Sequence, residues 1–479
     1  MPYLMVAWPA ALAGAAFAWS SNRTRPWLLP AAALGHLLLT VLAALRPGGP
    51  EFGGWLALDP LGRVVLLLVS VLFACCAFFA AGYLRFRSDR DNRVFCACLL
   101  LFLSMTTLTI WAHHWGLMWV AMEATTLAGA PLVYFNRNSS SLEATWKYLV
   151  ISSVGIALAL LGTFFLAYAS VRQGLPTSLL VEDLLANAPL LSRPWLRAAF
   201  ALLLIGYGTK MGLAPMHTWK PDAYGEAPGL AGALFSGGMT ACAFLLILRA
   251  LRLLKAAGEG AFAGQLLLWL GLFSVAVAAA FVMRQKDIKR MLAYSSVEHM
   301  GILALGAGIG GTALLGALLH LVNNGLAKGV LFLSAGNIHR AFGAKTTDRV
   351  RGAVRRLPLS GSLFLAGLFA VACTPPFGPF VSLLLILGGI FEEGWHWVGG
   401  VLLFLLFLVF MGLGRTVLAA SQGAAPDGEE TAAPAYRDTL LTGAPILVLM
   451  GLVLLLGLHI PDFLQVFLSD ALQYMEGGR

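Results

Sequence analysis

Two ionisable residues sit where the chain is otherwise apolar: Glu123 in WGLMWVAMEATTLAGAPLVYF and Lys210 in FALLLIGYGTKMGLAP. A charge inside hydrocarbon is costly even on lenient scales, so such residues mark ion or proton paths by default. Burial drives a lysine toward its neutral form and a glutamate toward its protonated form, whereas pairing keeps both charged. A lysine whose proton affinity follows the nearness of its glutamate is a switchable proton carrier. The alternative is a static ion pair that ties two helices together.

A second group lies in GALLHLVNNGLAKGVLFLSAGN, where His320, Asn324 and Lys328 follow at i, i+4 and i+8 on one helix face. Such a stripe lines either a water-filled passage or an interhelical hydrogen-bond seam. Histidine titrates near neutrality and suits a relay, although a satisfied core histidine fits the same pattern. Glu298 and His299, in AYSSVEHMGILAL, extend the polar positions toward the cytoplasmic side. His217, Asp222 and Glu226 occupy KMGLAPMHTWKPDAYGEAPG, either as a proton inlet or as caps for a following half-helix. His113 and His114 read as interfacial, and Asp59 with Arg63 reads as an i, i+4 surface pair.

The elements that must position these groups are apolar segments. The chain is 59% hydrophobic and 11% charged, with a mean hydropathy of +0.81. A soluble domain carries about 25% charged residues, so a soluble enzyme is excluded. One crossing needs roughly 20 apolar residues, and about fourteen runs of that length can be marked between residues 3 and 460. None alternates with period two, so the expected fold is an all-α polytopic membrane protein with about fourteen transmembrane helices. The N-terminus lacks the basic region of a secretory signal and reads as a retained first span.

The net charge of +9 comes from Lys and Arg in short connections, as at Arg85, Arg87, Arg90 and Arg93, Arg284 to Arg290, and Arg340 to Arg356. These fall at every second connection or a multiple of it. The positive-inside rule then places both termini on the outer face, and the basic residues imply no nucleic-acid partner. Two runs are interrupted by proline, at Pro215 and Pro221 and at Pro375 and Pro376, where each helix should unwind. Breaks at comparable places in two halves point to inverted five-helix repeats. The expected organisation is residues 1–93 as N-terminal spans, 94–260 and 261–420 as the repeats, 421–437 as a flexible linker, and 438–479 as a last span with an amphipathic tail.

Six cysteines, at 75, 76, 96, 98, 242 and 373, all lie in apolar runs and form no C-x-x-C cluster, so no metal and no cofactor is expected in this chain. No nucleotide-binding glycine motif and no Ser/His/Asp arrangement is present.

Three stretches together resemble one family: Lys210–Pro228 (KMGLAPMHTWKPDAYGEAP), Gln285–Gly301 (QKDIKRMLAYSSVEHMG) and His320–Asn337 (HLVNNGLAKGVLFLSAGN). It is the antiporter-like proton-translocating subunits of respiratory complex I, Mrp-type cation/proton antiporters and membrane-bound [NiFe]-hydrogenases. The stretch from Val120 (VAMEATTLAGAPLVYFNRNSSSLEATWKY) is similar to component F of hydrogenase-4. The resemblance implies a relay of Glu, Lys and His in the membrane plane. Glu123 matches its essential glutamate, Lys210 the paired lysine, and His320 and Lys328 the central pair of the second repeat.

Three positions depart from the pattern: Ala241 and Leu383 stand where relatives carry a titratable group, and Asn324 where histidine is common. The second half is thus expected to lack a titratable outlet. The implied function is a non-catalytic, proton- or cation-translocating subunit of an energy-converting hydrogenase-type complex in a bacterial or archaeal cell membrane. Its partners would be other membrane subunits and soluble Fe–S or [NiFe] subunits. The alternatives are an Mrp-type antiporter subunit and a structural subunit with a degenerate channel.

Overall fold

The computed structural model describes residues 1–45, 48–423 and 436–477. Most of the expected linker, 421–437, lies outside the described residues. Among those described, the chain is helical, with isolated bridges such as Glu51 to Leu56 and His114 to Leu180 in place of strands. By length and composition, ten helices among the described residues can cross a membrane, from Arg25–Leu45 to Leu440–Leu458. Helices Arg193–Met211 and Ile288–Ile309 and the shorter apolar Pro2–Ala18, Pro358–Val371 and Gly378–Glu392 complete the bundle.

Local chemistry starts and stops these helices. The Asp59 carboxylate accepts from Gly62 N at 2.6 Å and caps Pro60–Arg85, while Asp287 accepts from Lys289 N and Arg290 N ahead of Ile288–Ile309. Such caps satisfy backbone donors that the first turn leaves free. Helix Arg193–Met211 ends at Gly212, whose φ of +82° is a left-handed conformation that a side chain would strain.

Small residues set how closely helices approach. A Cβ on Gly271 would lie 2.6 Å from the Gly301 carbonyl oxygen, and one on Gly264 would lie 2.5 Å from that of Gly308. Helices Gly260–Val282 and Ile288–Ile309 therefore meet backbone to backbone, as small-residue stripes allow in lipid. The segment Gly229–Ala256 is 100% buried over its apolar window and Gly311–Phe342 is 94% buried, against 39% for Ser139–Val171 and His396–Gln422. The first two form the centre of the bundle, and the last two carry its outer face.

Both interruptions occur. After Met211 the chain leaves the helix, passes Pro215, and resumes as Trp219–Glu226. After Val371 it passes Cys373, Pro375 and Pro376 and resumes as Gly378–Glu392. The Ala214–Pro215 and Pro375–Pro376 bonds are cis. Pro221 corrects the expectation: it is the third residue of Trp219–Glu226, where the missing N–H has no intrahelical acceptor to lose. It starts the half-helix instead of breaking one.

The tail folds as Asp462–Glu476 and buries Leu464, Leu468, Ala471 and Met475, which recur every three or four residues. Arg252 Nε donates to the Tyr474 carbonyl at 2.8 Å, and Arg63 lies 3.5 Å from Asp470. The expected Asp59–Arg63 pair is thus replaced, because the tail takes Arg63 and a buried arginine takes Asp59.

Candidate functional site

Glu123 and Lys210 come together, but through a third residue. The Lys210 ammonium donates to Thr126 Oγ1, and that hydroxyl donates to Glu123 Oε2 at 2.8 Å. Ser153 Oγ donates to Glu123 Oε1 at 2.8 Å. Lys210 is fully buried with its ammonium 5.3 Å from the Tyr148 ring centroid, and Glu123 is half-buried. Thr126 lies one turn along Glu123's own helix, Trp115–Val133, so the backbone fixes their approach.

The second cluster repeats the arrangement. Lys328 Nζ donates to Ser295 Oγ at 2.6 Å, and Ser295 Oγ donates to Glu298 Oε2 at 3.3 Å. Here too the hydroxyl is one turn from the carboxylate, on the opposite side in sequence, and all three residues are buried. A hydroxyl between an ammonium and a carboxylate bridges them without direct contact. It also gives a route between them: one proton passes from Nζ to the hydroxyl oxygen as the hydroxyl proton passes to the carboxylate. Both ends are then neutral.

Lys328's own helix carries a second polar group. His299 Nδ1 lies 2.9 Å from His320 Nε2, and His320 Nδ1 lies 2.9 Å from Ser382 Oγ. A neutral imidazole donates from one nitrogen and accepts at the other, so His320 can take a proton on one side and release one on the other. Asn323 Nδ2 donates to Ser382 Oγ at 3.3 Å. The stripe His320, Asn324, Lys328 therefore divides: His320 turns to His299 and Ser382, and Lys328 turns to Ser295. Asn324 lies between them, buried, with its Oδ1 unpartnered. Past the second break, Ser382 meets the polar path, while Leu383 is buried and apolar and Leu384 is 51% exposed. A hydroxyl therefore stands beside the place where a titratable group was expected to be missing.

Other candidates lie apart. His217 is buried, its Nδ1 has no partner, and its ring lies 6.2 Å from that of Tyr294. Asp222 accepts from Lys147 at 2.8 Å and from Arg290, and Glu226 accepts from Lys345 at 2.6 Å. Asp222 fastens the half-helix to helices Ser139–Val171 and Ile288–Ile309, Glu226 fastens it to the connection holding Lys345, and neither caps it.

Asp59 is a buried ion-pair partner. Arg249 Nε lies 2.9 Å from its Oδ2 and Nη2 lies 3.1 Å from its Oδ1, and the guanidinium also donates to the Ile110 and Ala112 carbonyls. Burial alone would raise the Asp59 pKa, but Arg249 outweighs it and holds the carboxyl at about 2. His113 Nε2 lies 3.6 Å from Asp59 Oδ2, and burial, with Arg249 opposing further charge, pushes its imidazole down to about 4. This cluster joins the connections holding Asp59 and His113 to helix Thr240–Ala256, which carries Arg249.

Sequence reading missed Thr126, Ser153, Ser295 and Ser382, which sit among apolar residues and carry no charge. For Thr126 and Ser295 the signal was a hydroxyl three residues from a carboxylate in an apolar run; Ser153 and Ser382 carried none. It also missed Lys220, which is fully buried with Nζ 3.1 Å from Ser296 Oγ. Among the described residues, no group of three or more His, Cys, Asp or Glu could hold a metal ion.

A helix bundle with interrupted spans and buried Lys, Glu and His linked by hydroxyls defines a multi-pass membrane protein of the antiporter-like class. Residues 112–412 match the profile of the NADH:quinone oxidoreductase/Mrp antiporter transmembrane family, and the chain belongs to that family. The chain is 35% identical over 384 residues to a hydrogenase-4 component F homolog of Methylacidiphilum infernorum, covering 78% of this chain and 80% of that protein. It is 31% identical over 353 residues to NADH-quinone oxidoreductase subunit N of Desulforudis audaxviator, covering 73% and 69%. Its fold is similar to that of a chain in the membrane-bound sulfane sulfur reductase, an archaeal respiratory membrane complex, with a TM-score of 0.88 over 99% of this chain and 97% of that one at 22% identity.

Proposed function

We propose that this chain moves protons through the membrane as a subunit of an energy-converting redox complex of the hydrogenase or complex I type. The observation that carries the proposal is the repeated lysine–hydroxyl–carboxylate arrangement, Lys210–Thr126–Glu123 and Lys328–Ser295–Glu298. A static ion pair would bring the charges into contact. An interposed hydroxyl instead lets one proton move between them when the local field changes. His299, His320 and Ser382 continue the second cluster toward the second break.

Fourteen crossings in two inverted five-helix repeats, residues 94–260 and 261–420, would place one such cluster in each half. The two broken helices at Pro215 and Pro375–Pro376 support that reading. Basic connections such as Arg85–Arg93 and Arg284–Arg290 favour both termini on the outer face of a bacterial or archaeal cell membrane. Electron transfer belongs to partner subunits carrying Fe–S or [NiFe] centres, and this chain supplies the proton path. The similarity to a hydrogenase-4 component F homolog favours that assembly over a free-standing antiporter.

Purification in mild detergent with metal analysis and mass spectrometry of co-purifying chains tests the assembly. Nickel, iron and cysteine-rich soluble subunits are expected. A homo-oligomer without them would overturn the redox-complex reading in favour of an antiporter.

A further inference from the structure

Lys220 is a fully buried lysine that neither cluster uses. It belongs to half-helix Trp219–Glu226, which resumes after the first break, and Trp219 Nε1 pins that half-helix to the Thr209 carbonyl at 2.9 Å. Thr209 immediately precedes Lys210, so the two half-helices are fastened at the residue next to the first cluster's lysine.

Two observations place the Lys220 side chain between the clusters. First, it lies across the end of the Lys210 half-helix: a Cβ on Gly212 would sit 2.3 Å from Lys220 Cε and 2.7 Å from its Nζ. Second, Lys220 Nζ donates to Ser296 Oγ at 3.1 Å. Ser296 follows Ser295, the hydroxyl that joins Lys328 to Glu298. Lys220 thus reaches from the first cluster's helix end to the second cluster's serine pair.

The aromatic residues agree with this placement. Lys210 faces the Tyr148 ring at 5.3 Å, Lys220 faces the Tyr224 ring at 5.7 Å, and Trp219 stands between those rings at 5.1 Å and 5.8 Å. Both ammonium groups therefore sit on one aromatic row, whose ring faces stabilise a cation without neutralising it.

We propose that Lys220 is the proton carrier that connects the two clusters. This rests on the translocation reading above and deepens it by naming the step between the halves. In that step the Lys210 ammonium loses a proton, handed on by water, to a neutral Lys220 amine. The resulting Lys220 ammonium, which donates to Ser296 Oγ, loses one, again handed on by water, to the Glu298 carboxylate or the neutral Lys328 amine. One N–H bond breaks and one N–H or O–H bond forms in each transfer, so no other reactant is needed. Two cations on adjacent serines of one helix repel, so a proton arriving on Lys220 favours release from Lys328.

A purely structural role is the competing explanation, with Lys220 as a fixed cation on the carbonyl end of the Lys210 half-helix. The two differ in what arginine can replace. Arginine supplies a fixed cation but does not deprotonate, so it cannot carry a proton.

The test uses proteoliposomes holding the full chain in its purified assembly, with a potassium-diffusion potential driving protons and a pH dye reading them. Lys220→Met is expected to lower flux by about tenfold or more, with Lys220→Arg no better and Ser296→Ala lowering it several-fold. Wild-type flux in assembled Lys220→Met, or its restoration by Lys220→Arg, overturns the proposal. If neither lysine variant assembles, Ser296→Ala decides: lowered flux supports the connecting step, and wild-type flux overturns it. Glu123→Gln in the same vesicles separates the two levels. Should it and the Lys220 variants all pump normally, the translocation reading itself fails. Should only Glu123→Gln lose flux, the path runs through Glu123 but not through Lys220.

Discussion

The two lysine–hydroxyl–carboxylate clusters share a plan and differ in exposure. Glu123 is half-buried and held by two hydroxyls, those of Thr126 and Ser153, whereas Glu298 is buried and accepts from Ser295. Glu123's neighbour helix Ser139–Val171 lies at the bundle surface with 39% of its window buried, while Lys328's helix Gly311–Phe342 is 94% buried. The first cluster thus opens sideways, toward whatever packs on that face, and the second is enclosed. The second also lies next to the hydrogen-bonded group His299, His320 and Ser382, whereas Lys210 is followed by Lys220. A carboxylate at an edge can be controlled by a neighbour, whereas an enclosed one answers only to groups of its own chain.

That comparison breaks most clearly at Glu123. Glu123→Gln keeps the volume, and its amide still meets Thr126 and Ser153, so assembly should survive. Proton flux should fall by about tenfold or more, read by pH-dye quenching in proteoliposomes. Undiminished flux would make the first cluster structural and remove the parallel.

Glu298→Gln should differ in kind. Removing the carboxylate from an enclosed cluster leaves Lys328 with an uncompensated buried charge, a loss of about 3 kcal/mol or more when a buried pair is broken. Thermal unfolding in detergent should drop more for this variant than for Glu123→Gln, because Lys210 and Lys328 are equally buried but Glu123 is half-buried and Glu298 is enclosed. Equal drops would mean that exposure does not distinguish the two sites.

The bridging hydroxyls give a smaller, sharper test. Thr126→Ala removes the link between Lys210 and Glu123 and should lower flux several-fold, at about 1 kcal/mol for the lost hydrogen bond. Thr126→Ser should restore most of it, because only the hydroxyl matters. If alanine and serine behave alike, Lys210 and Glu123 communicate without Thr126.

The smallest effect is expected at the Asp59–Arg249–His113 cluster, which serves as a reference outside both sites. His113 titrates at about 4 in the fold, below the ordinary value of about 6.5, because burial disfavours its charge. Between those values the unfolded chain binds the extra proton, so stability falls as pH drops from about 6.5 through about 4. His113→Asn should flatten that part of the pH profile of detergent melting. Asp59, held at about 2 with Arg249 outweighing burial, should lose its contribution progressively as pH falls from about 3.8 through about 2. A pH slope unchanged by His113→Asn would show that its environment is wetter than its burial implies.

Much of this molecule follows from the sequence. The apolar runs are long and their charges fall between them, so a helical membrane bundle follows from the absence of water in the hydrocarbon core. Prolines 215, 375 and 376 mark the breaks because proline inside a run removes a backbone donor and clashes with the preceding turn. Glu123, Lys210, His320 and Lys328 stand out because ionisable residues are rare in such segments.

Pairing is what only the tertiary structure decided. Thr126, Ser295, Ser296 and Ser382 look like ordinary small polar residues in sequence, since hydroxyls also pack as spacers between membrane helices. Only the fold aims them at lysine, carboxylate or imidazole. Pro221 read as a break but starts a half-helix, because its effect depends on which turn it occupies. Asp59 read as a partner of Arg63 four residues on, yet Arg249, 190 residues away, takes it. Lys220 sits inside a recognised motif, but its reach across Gly212 to Ser296 depends on how two half-helices fold back on a third. Segment type is local physics, written in the periodicity and charge of each run. Contact between side chains on different helices depends on how the whole bundle packs, and no single run encodes it.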